Sequence, residues 1–464
     1  MSSNEDDYTF LPIRDAISSI NQKVNLIGMV VEFGTPQKSK GTDCFCTLKI
    51  MDESYQIQGL VVNIFAESME KLPHINSAGD IIRLSQVVMK SHRGVVNAIY
   101  NKKLSSYALF EGKSSKHFIP YQASSNFCLT DHDKKFMTLL RTWMLNFQLD
   151  SGLNESLLLR EIKEEEQYFD LVCKILHVSE VSKDVWMLCV WDGTDAPPLN
   201  CQTRLKDEME NPLPLQVEEP LPREVLCMFP PVGTILRMIV DKTSNKLGLQ
   251  LPDSGSWVKL LNIVCKVRLG LWYGVFTSST KLRILSNEDN VVIHRRRISE
   301  KRLSSVWDRM PFSAFPWPSR ITETDYESVP IKTLMDVLTC STVTAKFKCV
   351  VRVVAMCPWQ VENFRCPVGT HQYRLRLTLE DPTARIHAYI YAEDGERFFD
   401  GYPSMEVLTR KRNRLLGITK GDDVKEDAAR NPPWVQCCLK SYYLDKANPW
   451  ETRNYRIFGT RLVG

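Results

Sequence analysis

Two lysines one residue apart, followed by a glycine, stand in the stretch Lys38-Ser39-Lys40-Gly41-Thr42-Asp43 between two predicted strands. A loop of this kind can track phosphates, because the ammonium groups neutralise the anion while the glycine leaves the backbone flexible. Aromatic residues flank it in the adjoining strands, namely Phe33, Phe45 and Phe65. Interleaved cations and flat rings are what an unpaired nucleic-acid strand needs: bases stack on the rings, and the backbone is neutralised by the cations. Strand aromatics also serve as ordinary core residues, which is the competing account of each ring.

A second cationic cluster, Arg83 with Lys90, His92 and Arg93, follows Gly79-Asp80 and is expected near the same face as the lysine loop. A solvated strand explains such a cluster equally well. Further along, Tyr168, Trp186, Trp191, Trp257, Trp272 and Tyr273 lie among Lys259, Lys281 and Arg283. Strand alternation sends Trp186 and Trp191 to opposite faces, so only one of them is expected inside. Cys357, Cys366, Cys437 and Cys438, with His371 as a spare ligand, are weak zinc candidates. Their spacing lacks the short cysteine pairs of structural zinc, and two adjacent cysteines on a strand point apart, so no metal or other cofactor is expected.

Signatures of catalysis are missing. Gly112-Lys113-Ser114 has Tyr107 where a phosphate loop needs glycine, and eight scattered histidines form no paired motif. An enzyme carrying a small barrel as an accessory module is therefore disfavoured. The basic runs 295–297 with 301–302, and 410–412 with 414, fit import signals, phosphate contacts or simply solvated charge.

The elements that must position these groups are mostly strands. The 464 residues suffice for about three domains, and 59 Lys and Arg against 55 Asp and Glu leave a net charge of +4, too small to announce a nucleic-acid partner by itself. The acidic, polar start lacks a secretory pattern and no apolar run is long enough for a membrane span, so an intracellular protein without membrane contact is expected, its 14 cysteines reduced. Helical spacing of Phe136, Leu139, Leu140, Trp143 and Phe147 after a Thr130-x-x-Asp133 cap predicts one clear helix over 130–147. A weak repeat recurs three times: a lead-in (11–13, 159–162, 329–331), an alternating strand (23–31, 168–176, 346–356), and a second strand closed by an acidic turn (46–53, 186–193, 373–382). The pattern predicts a mainly β protein of three tandem five-stranded barrels over 8–128, 155–295 and 325–464. Short helices and linkers around 128–155 and 295–328 connect them, and the proline-rich stretch 211–231 forms a long loop inside the second.

On KSKGTD (38–43), GDIIR (79–83), YFDL (168–171), WDGT (191–194) and the helix over 130–143, the sequence resembles the protection-of-telomeres family. The likeness spans roughly residues 8 to 295, and the short third region is similar to plant members. The resemblance implies Greek-key OB-fold barrels, the first two gripping single-stranded G-rich telomeric DNA and the third meeting protein partners. It further implies a nuclear protein of the telomeric region of chromosomes that caps ends and regulates telomerase, in company with telomerase and telomere end-binding proteins. Carried over by position, the 38–43 loop touches phosphates and bases, Phe65 and Tyr168 are stacking platforms, and His92 stands where the family tends to place an aromatic. The expected DNA-binding set is thus Phe33, Lys38, Lys40, Thr42, Asp43, Phe65, Arg83, Lys90, His92, Arg93, Tyr168, Trp272, Tyr273 and Lys281. The alternative is an accessory subunit of a telomerase ribonucleoprotein that works mainly through protein contacts and binds DNA weakly.

Overall fold

The structure is a computed structural model and describes residues 9–34, 36–39, 41–76, 79–92, 94–112, 115, 117–125, 127–147, 156–216, 219–241, 251–277, 279–304, 309–315, 318–326, 329–365, 372–419 and 428–463. Period-two alternation builds its strands. In Cys44–Asp52 the side chains of Cys44, Cys46, Leu48 and Ile50 are buried while Phe45, Thr47 and Lys49 between them are half-buried.

Five strands, β1 (Lys23–Gly34), β2 (Cys44–Asp52), β3 (Tyr55–Ala66), β4 (Ile81–His92) and β5 (Val95–Tyr100), pair in a ring. Its order is β1-β2-β3-β5-β4 and back to β1, with β3 and β5 parallel and every other pair antiparallel. The same order joins β6 (Tyr168–Ser182), β7 (Val185–Trp191), β8 (Leu236–Asp241), β9 (Trp257–Arg268) and β10 (Leu271–Val275). After the short strand β11 (Lys281–Leu285), it recurs in the closed barrel of β12 (Lys346–Cys357), β13 (Arg374–Glu380), β14 (Arg385–Tyr391), β15 (Val435–Tyr443) and β16 (Arg453–Phe458). A parallel contact between the third and fifth strands closes a five-stranded Greek-key barrel, which is the OB-fold.

One device fixes the entry of the chain into each ring. Asp52 ends the second strand of its ring and Asp192 and Asp381 directly follow theirs, and one carboxylate oxygen of each accepts the backbone N–H that opens the lead-in: Ile13 at 2.8 Å, Leu159 at 2.8 Å and Leu334 at 2.7 Å. The other oxygen accepts the backbone N–H of the residue two ahead, Ser54, Thr194 or Thr383, whose hydroxyl then accepts the next lead-in N–H, from Arg14, Arg160 or Met335. The lead-ins are helix α1 (Ile13–Ser18), a 3-10 turn over Leu159–Glu161, and helix α5 (Leu334–Thr339). The acidic turns read from the sequence as mere punctuation therefore satisfy backbone donors that would otherwise go unmet at a helix start.

Helix α2 (Asp131–Asn146) begins on the expected Thr130–Asp133 capping box. It buries Met137, Leu140 and Met144 against Ile27, Met29, Ile81 and Phe110 of the first barrel, with Phe136, Trp143 and Phe147 packed alongside. Leu139, assigned by spacing to the packed face, is exposed. The stretch expected as a linker from residue 295 starts inside helix α4 (Asn290–Ser304), where Arg295 is buried and Arg302 forms a bidentate pair with Asp195 at 2.5 and 2.7 Å. The second basic run lies on helix α6 (Met405–Leu416), where the Lys411 ammonium is buried and donates to the carbonyls of Phe399 and Leu462. Arg295, Arg302 and Lys411 thus hold the fold together, while Arg297, Lys301, Arg410 and Arg414 of the same runs are exposed.

The first two barrels share a sheet: β11 pairs with β9 on one side and with β1 on the other, through Glu32–Leu285, Phe33–Ile284 and Gly34–Arg283. At the crossing the Arg283 guanidinium lies over Gly34, 2.9 Å from where a Cβ would stand, and its Nη1 donates to the Thr47 carbonyl at 3.1 Å. The segment between β7 and β8 docks the third barrel onto the second. Arginines of the third barrel grip its backbone, Arg352 donating to Leu199 O at 2.7 Å, Arg385 to Pro214 O at 3.1 Å and Arg430 to Thr203 O at 3.3 Å.

Candidate nucleic-acid interface

The outward positions of β2 and β3 in the first barrel carry a pair of phenylalanines. Phe45 and Phe65 face each other in register, with ring centroids 6.1 Å apart and planes inclined by 29°. Both are half-buried, because Cys44, Cys46, Leu48, Val62 and Ile64 fill the barrel on the other side of the sheet and the core has no place for them. Burial pushes the Cys46 thiol up to about 12, a mark of how dry the layer under the rings is. Along the same face Thr47 Oγ1 bonds Asn63 Oδ1 at 3.1 Å, and Lys49 reaches Glu32 at 3.3 Å.

At the Ala66 end of this face sits the lysine loop. Lys38 is exposed, Ser39 N–H donates to Asp43 O at 2.8 Å, and Gly41 N–H donates to Ser39 Oγ at 3.2 Å, so the loop is folded on itself. Asp43 accepts from Lys102 Nζ at 2.8 Å and lies 3.5 Å from the exposed Thr42 hydroxyl. Asp43 thereby holds the Lys102 ammonium above its usual range and fixes a cation that sequence reading did not single out. Only the register of β3 with β5, which carries the chain to Tyr100 beside Ile64, brings Lys102 here.

The hairpin of β4 and β5 carries exposed Lys90 and His92, with Lys90 Nζ bonded to Asn21 Oδ1 at 2.9 Å. Because Val61 pairs with Asn97, the hairpin tip lies beside the Gly59 end of β3. It is separated from the lysine loop by the length of the strand, roughly 20 Å at strand rise. The two cationic clusters therefore bracket the aromatic face from opposite ends instead of adjoining. Lys40 and Arg93 lie outside the described residues.

Two expected contacts are corrected. Phe33 is 9% exposed and belongs to the barrel core, pairing with Leu48 and Ile284 on either side. Arg83 is 2% exposed, forms an ion pair with Asp133 of α2 at 2.9 Å, and stacks its guanidinium over Phe127 and Phe10 at 5.1 and 5.7 Å. It pins the helix to the barrel and cannot reach a phosphate.

In the second barrel the corresponding face is covered. Cys189 of β7 is buried under Leu226 of helix α3 (Arg223–Leu226), Phe229 and Met335 of α5. Trp191 is buried against Val291 and Val292 of α4, its indole N–H donating to Val232 O at 2.8 Å. The expected aromatics lie elsewhere: Tyr168 opens β6 with 60% exposure opposite Val264, and half-buried Tyr273 pairs with Lys266 near the same end of β9. Trp272 is half-buried with its indole N–H held by Pro197 O at 2.9 Å, and exposed Lys281 lies opposite Leu261.

In the third barrel, adjacent Cys437 and Cys438 point to opposite faces, and Cys437 lies in the core, where burial raises its thiol. Cys349 pairs with Cys437, so Cys357, eight residues further along β12, is about 25 Å away. Cys366 and His371 lie outside the described residues, and among the described residues no three His, Cys, Asp or Glu side chains gather into a metal site. Among those residues, too, no helix is long and apolar enough to cross a membrane.

Known proteins align with this arrangement. Residues 4–151 match the family model for telomeric single-stranded DNA binding POT1/CDC13, residues 158–219 that for the ssDNA-binding domain of telomere protection protein, and residues 317–448 that for a POT1A-like OB fold domain. Protection of telomeres protein 1b of Arabidopsis thaliana is 43% identical over 458 residues, covering 98% of both chains. Protection of telomeres protein 1a of the same plant is 40% identical over 479 residues, covering 100% of both. Fission yeast Pot1, solved with ssDNA, aligns with 65% of this chain and 96% of its own at 19% identity, with a TM-score of 0.28, too loose a likeness to carry weight. With two relatives matched end to end and each of the three regions answering to its own model, the chain belongs to the protection of telomeres protein 1 family.

Proposed function

We infer that this protein binds single-stranded, G-rich telomeric DNA at chromosome ends in the nucleus, protects those ends and regulates telomerase, without chemistry of its own. The observation that carries this reading is the Phe45–Phe65 pair, two outward rings on a dry sheet with Lys38 and Lys102 at one end and Lys90 and His92 at the other. Rings in that position gain little for the fold and offer bases a stacking surface, worth about 1–3 kcal/mol per base. The full-length match to Arabidopsis protection of telomeres proteins supports the choice of telomeric DNA over other single strands.

Titration of the full chain with a G-rich telomeric oligonucleotide and with its C-rich complement tests the reading. The G-rich strand is expected to bind at least tenfold more tightly, and Phe65→Ala to cost about 1–3 kcal/mol of that affinity. Equal affinity for the two strands, or an unchanged Phe65→Ala variant, would refute it.

A further inference from the structure

We propose that the third barrel carries its own binding face for a single-stranded nucleic acid, on the outer surface of β13, β14, β16 and β15, centred on Tyr389 and Tyr391. The face uses the second and third strands of its ring, as the Phe45–Phe65 face of the first barrel does, and goes beyond the function proposed above.

Register builds the site. Arg376 pairs with Tyr389, Tyr389 with Arg456, and Arg456 with Lys440, so one row across four strands reads cation, ring, cation, cation. At the spacing of neighbouring strands this row is about 14 Å wide. The next row out places exposed Arg374 opposite Tyr391, and Tyr442 opposite Asn454. Tyr389 and Tyr391 are 36% and 45% exposed, whereas Ala388 and Ile390 beside them are buried in the barrel. The two rings therefore stand on one face, two residues or about 7 Å apart along the strand, and the core does not require them. They line a groove of 680 Å³ together with Arg374, Lys440 and Arg456.

Charge decides the occupant. Arg456 places its guanidinium 5.9 Å from the Tyr391 ring centre and donates to the Tyr391 carbonyl at 3.0 Å. Asp394 at the rim is paired with both Arg456 and Lys440, so it presents no unbalanced negative charge. Arg376, beside Tyr389 but outside the groove lining, is tethered to Glu208 of the docked segment at 3.2 Å. An apolar protein surface would have to strip water from these cations, and an acidic peptide would leave the ring faces unused. Flat bases joined by phosphates engage both sets of groups at once.

Ultraviolet cross-linking of the full-length protein to a 30-nucleotide DNA and to the RNA of the same sequence, followed by peptide mapping, tests the site. A cross-link at Tyr389 or Tyr391 is expected, its preference for one nucleic acid naming the strand that this face takes. In a background of Phe45→Ala and Phe65→Ala, which removes both rings of the first-barrel face, Tyr389→Ala with Tyr391→Ala should lower the remaining affinity at least tenfold and abolish the cross-link, while the paired Tyr→Phe changes keep both. A first-barrel reading that fails would show itself separately, as an ineffective Phe65→Ala change beside an intact third-barrel cross-link. Absence of any cross-link at Tyr389 and Tyr391 with either nucleic acid overturns the proposal, as does a folded double alanine variant within twofold of its parent.

Discussion

The first and second barrels have the same strand order and the same acidic latch, yet they treat the outer face of their second and third strands in opposite ways. In the first, Phe45 and Phe65 look outward; in the second, Cys189 lies under Leu226, Phe229 and Met335. The difference comes from chain length rather than from the fold. Two residues, 53 and 54, join β2 to β3, whereas the β7–β8 connection runs over 192–235, long enough to fold back over its own sheet and offer the third barrel a docking surface. A barrel scaffold therefore does not guarantee a binding face, and the loops decide whether the face is open.

The largest expected effects test whether the covered face is structural. Phe229→Ala removes a buried ring by which the docked segment covers Cys189, and should cost about 3–5 kcal/mol of stability. Oligonucleotide affinity of the folded variant, measured well below its melting temperature, should stay within twofold of the parent. A large loss of affinity without unfolding would mean that the covered face takes part in binding.

Within the first barrel, two phenylalanines on the strands either side of β2 sharpen the same contrast. Phe33→Ala should destabilise by about 3–5 kcal/mol as a core truncation, monitored by denaturant unfolding. Phe65→Ala should change unfolding by less than about 1 kcal/mol while weakening oligonucleotide binding by about 1–3 kcal/mol. Reversal of these two outcomes would exchange the inside and outside of the barrel wall.

The third barrel adds a pH test. Burial, followed by the charges of Arg376 and Arg385, holds the His387 imidazole down at about 4, and Thr378 Oγ1 lies 3.3 Å from its Nδ1. The unfolded chain takes up a proton first as pH falls below about 6.5, so His387 weakens the fold progressively between pH 6.5 and 4. Allowing for its partial exposure, the loss is about 2 kcal/mol. Asp381 works the other way: burial raises it to about 6, so the folded state takes up a proton first between about 6 and 4, which stabilises the fold on acidification. His387→Gln should therefore melt higher relative to the parent at pH 4.5 than at pH 7. An identical difference at the two pH values would remove His387 from the account.

Much of this architecture was legible in the sequence, because it rests on local rules. Alternation in β2 sorts Cys44, Cys46 and Leu48 from Phe45, Thr47 and Lys49, the Thr130–Asp133 cap marks the start of α2, and the three acidic turns mark the ends of the second strands. Alternation gives no guidance where both faces of a strand are covered. All five residues from Ile81 to Ser85 are buried, so Arg83 looked like a surface cation until α2 supplied Asp133 across 50 residues of sequence. Tyr389 and Tyr391 could have been found by the same alternation, since Ala388 and Ile390 between and beside them are the inward residues.

The smallest expected effects concern the cations that bracket the first face. Each lysine that neutralises a phosphate of a single strand should contribute about 0.7 to the slope of log affinity against log salt. Lys38→Ala is exposed and should flatten the slope by about that amount with no change in melting temperature. Lys102→Ala should flatten it by less, because Asp43 already occupies its ammonium and must be shared with the incoming phosphate. Asp43→Asn should then steepen the slope by freeing Lys102. Equal slopes for Lys38→Ala, Lys102→Ala and the parent would mean that the lysine loop does not touch the strand, and would leave the rings of Phe45 and Phe65 with the Lys90 and His92 end as the first-barrel contact.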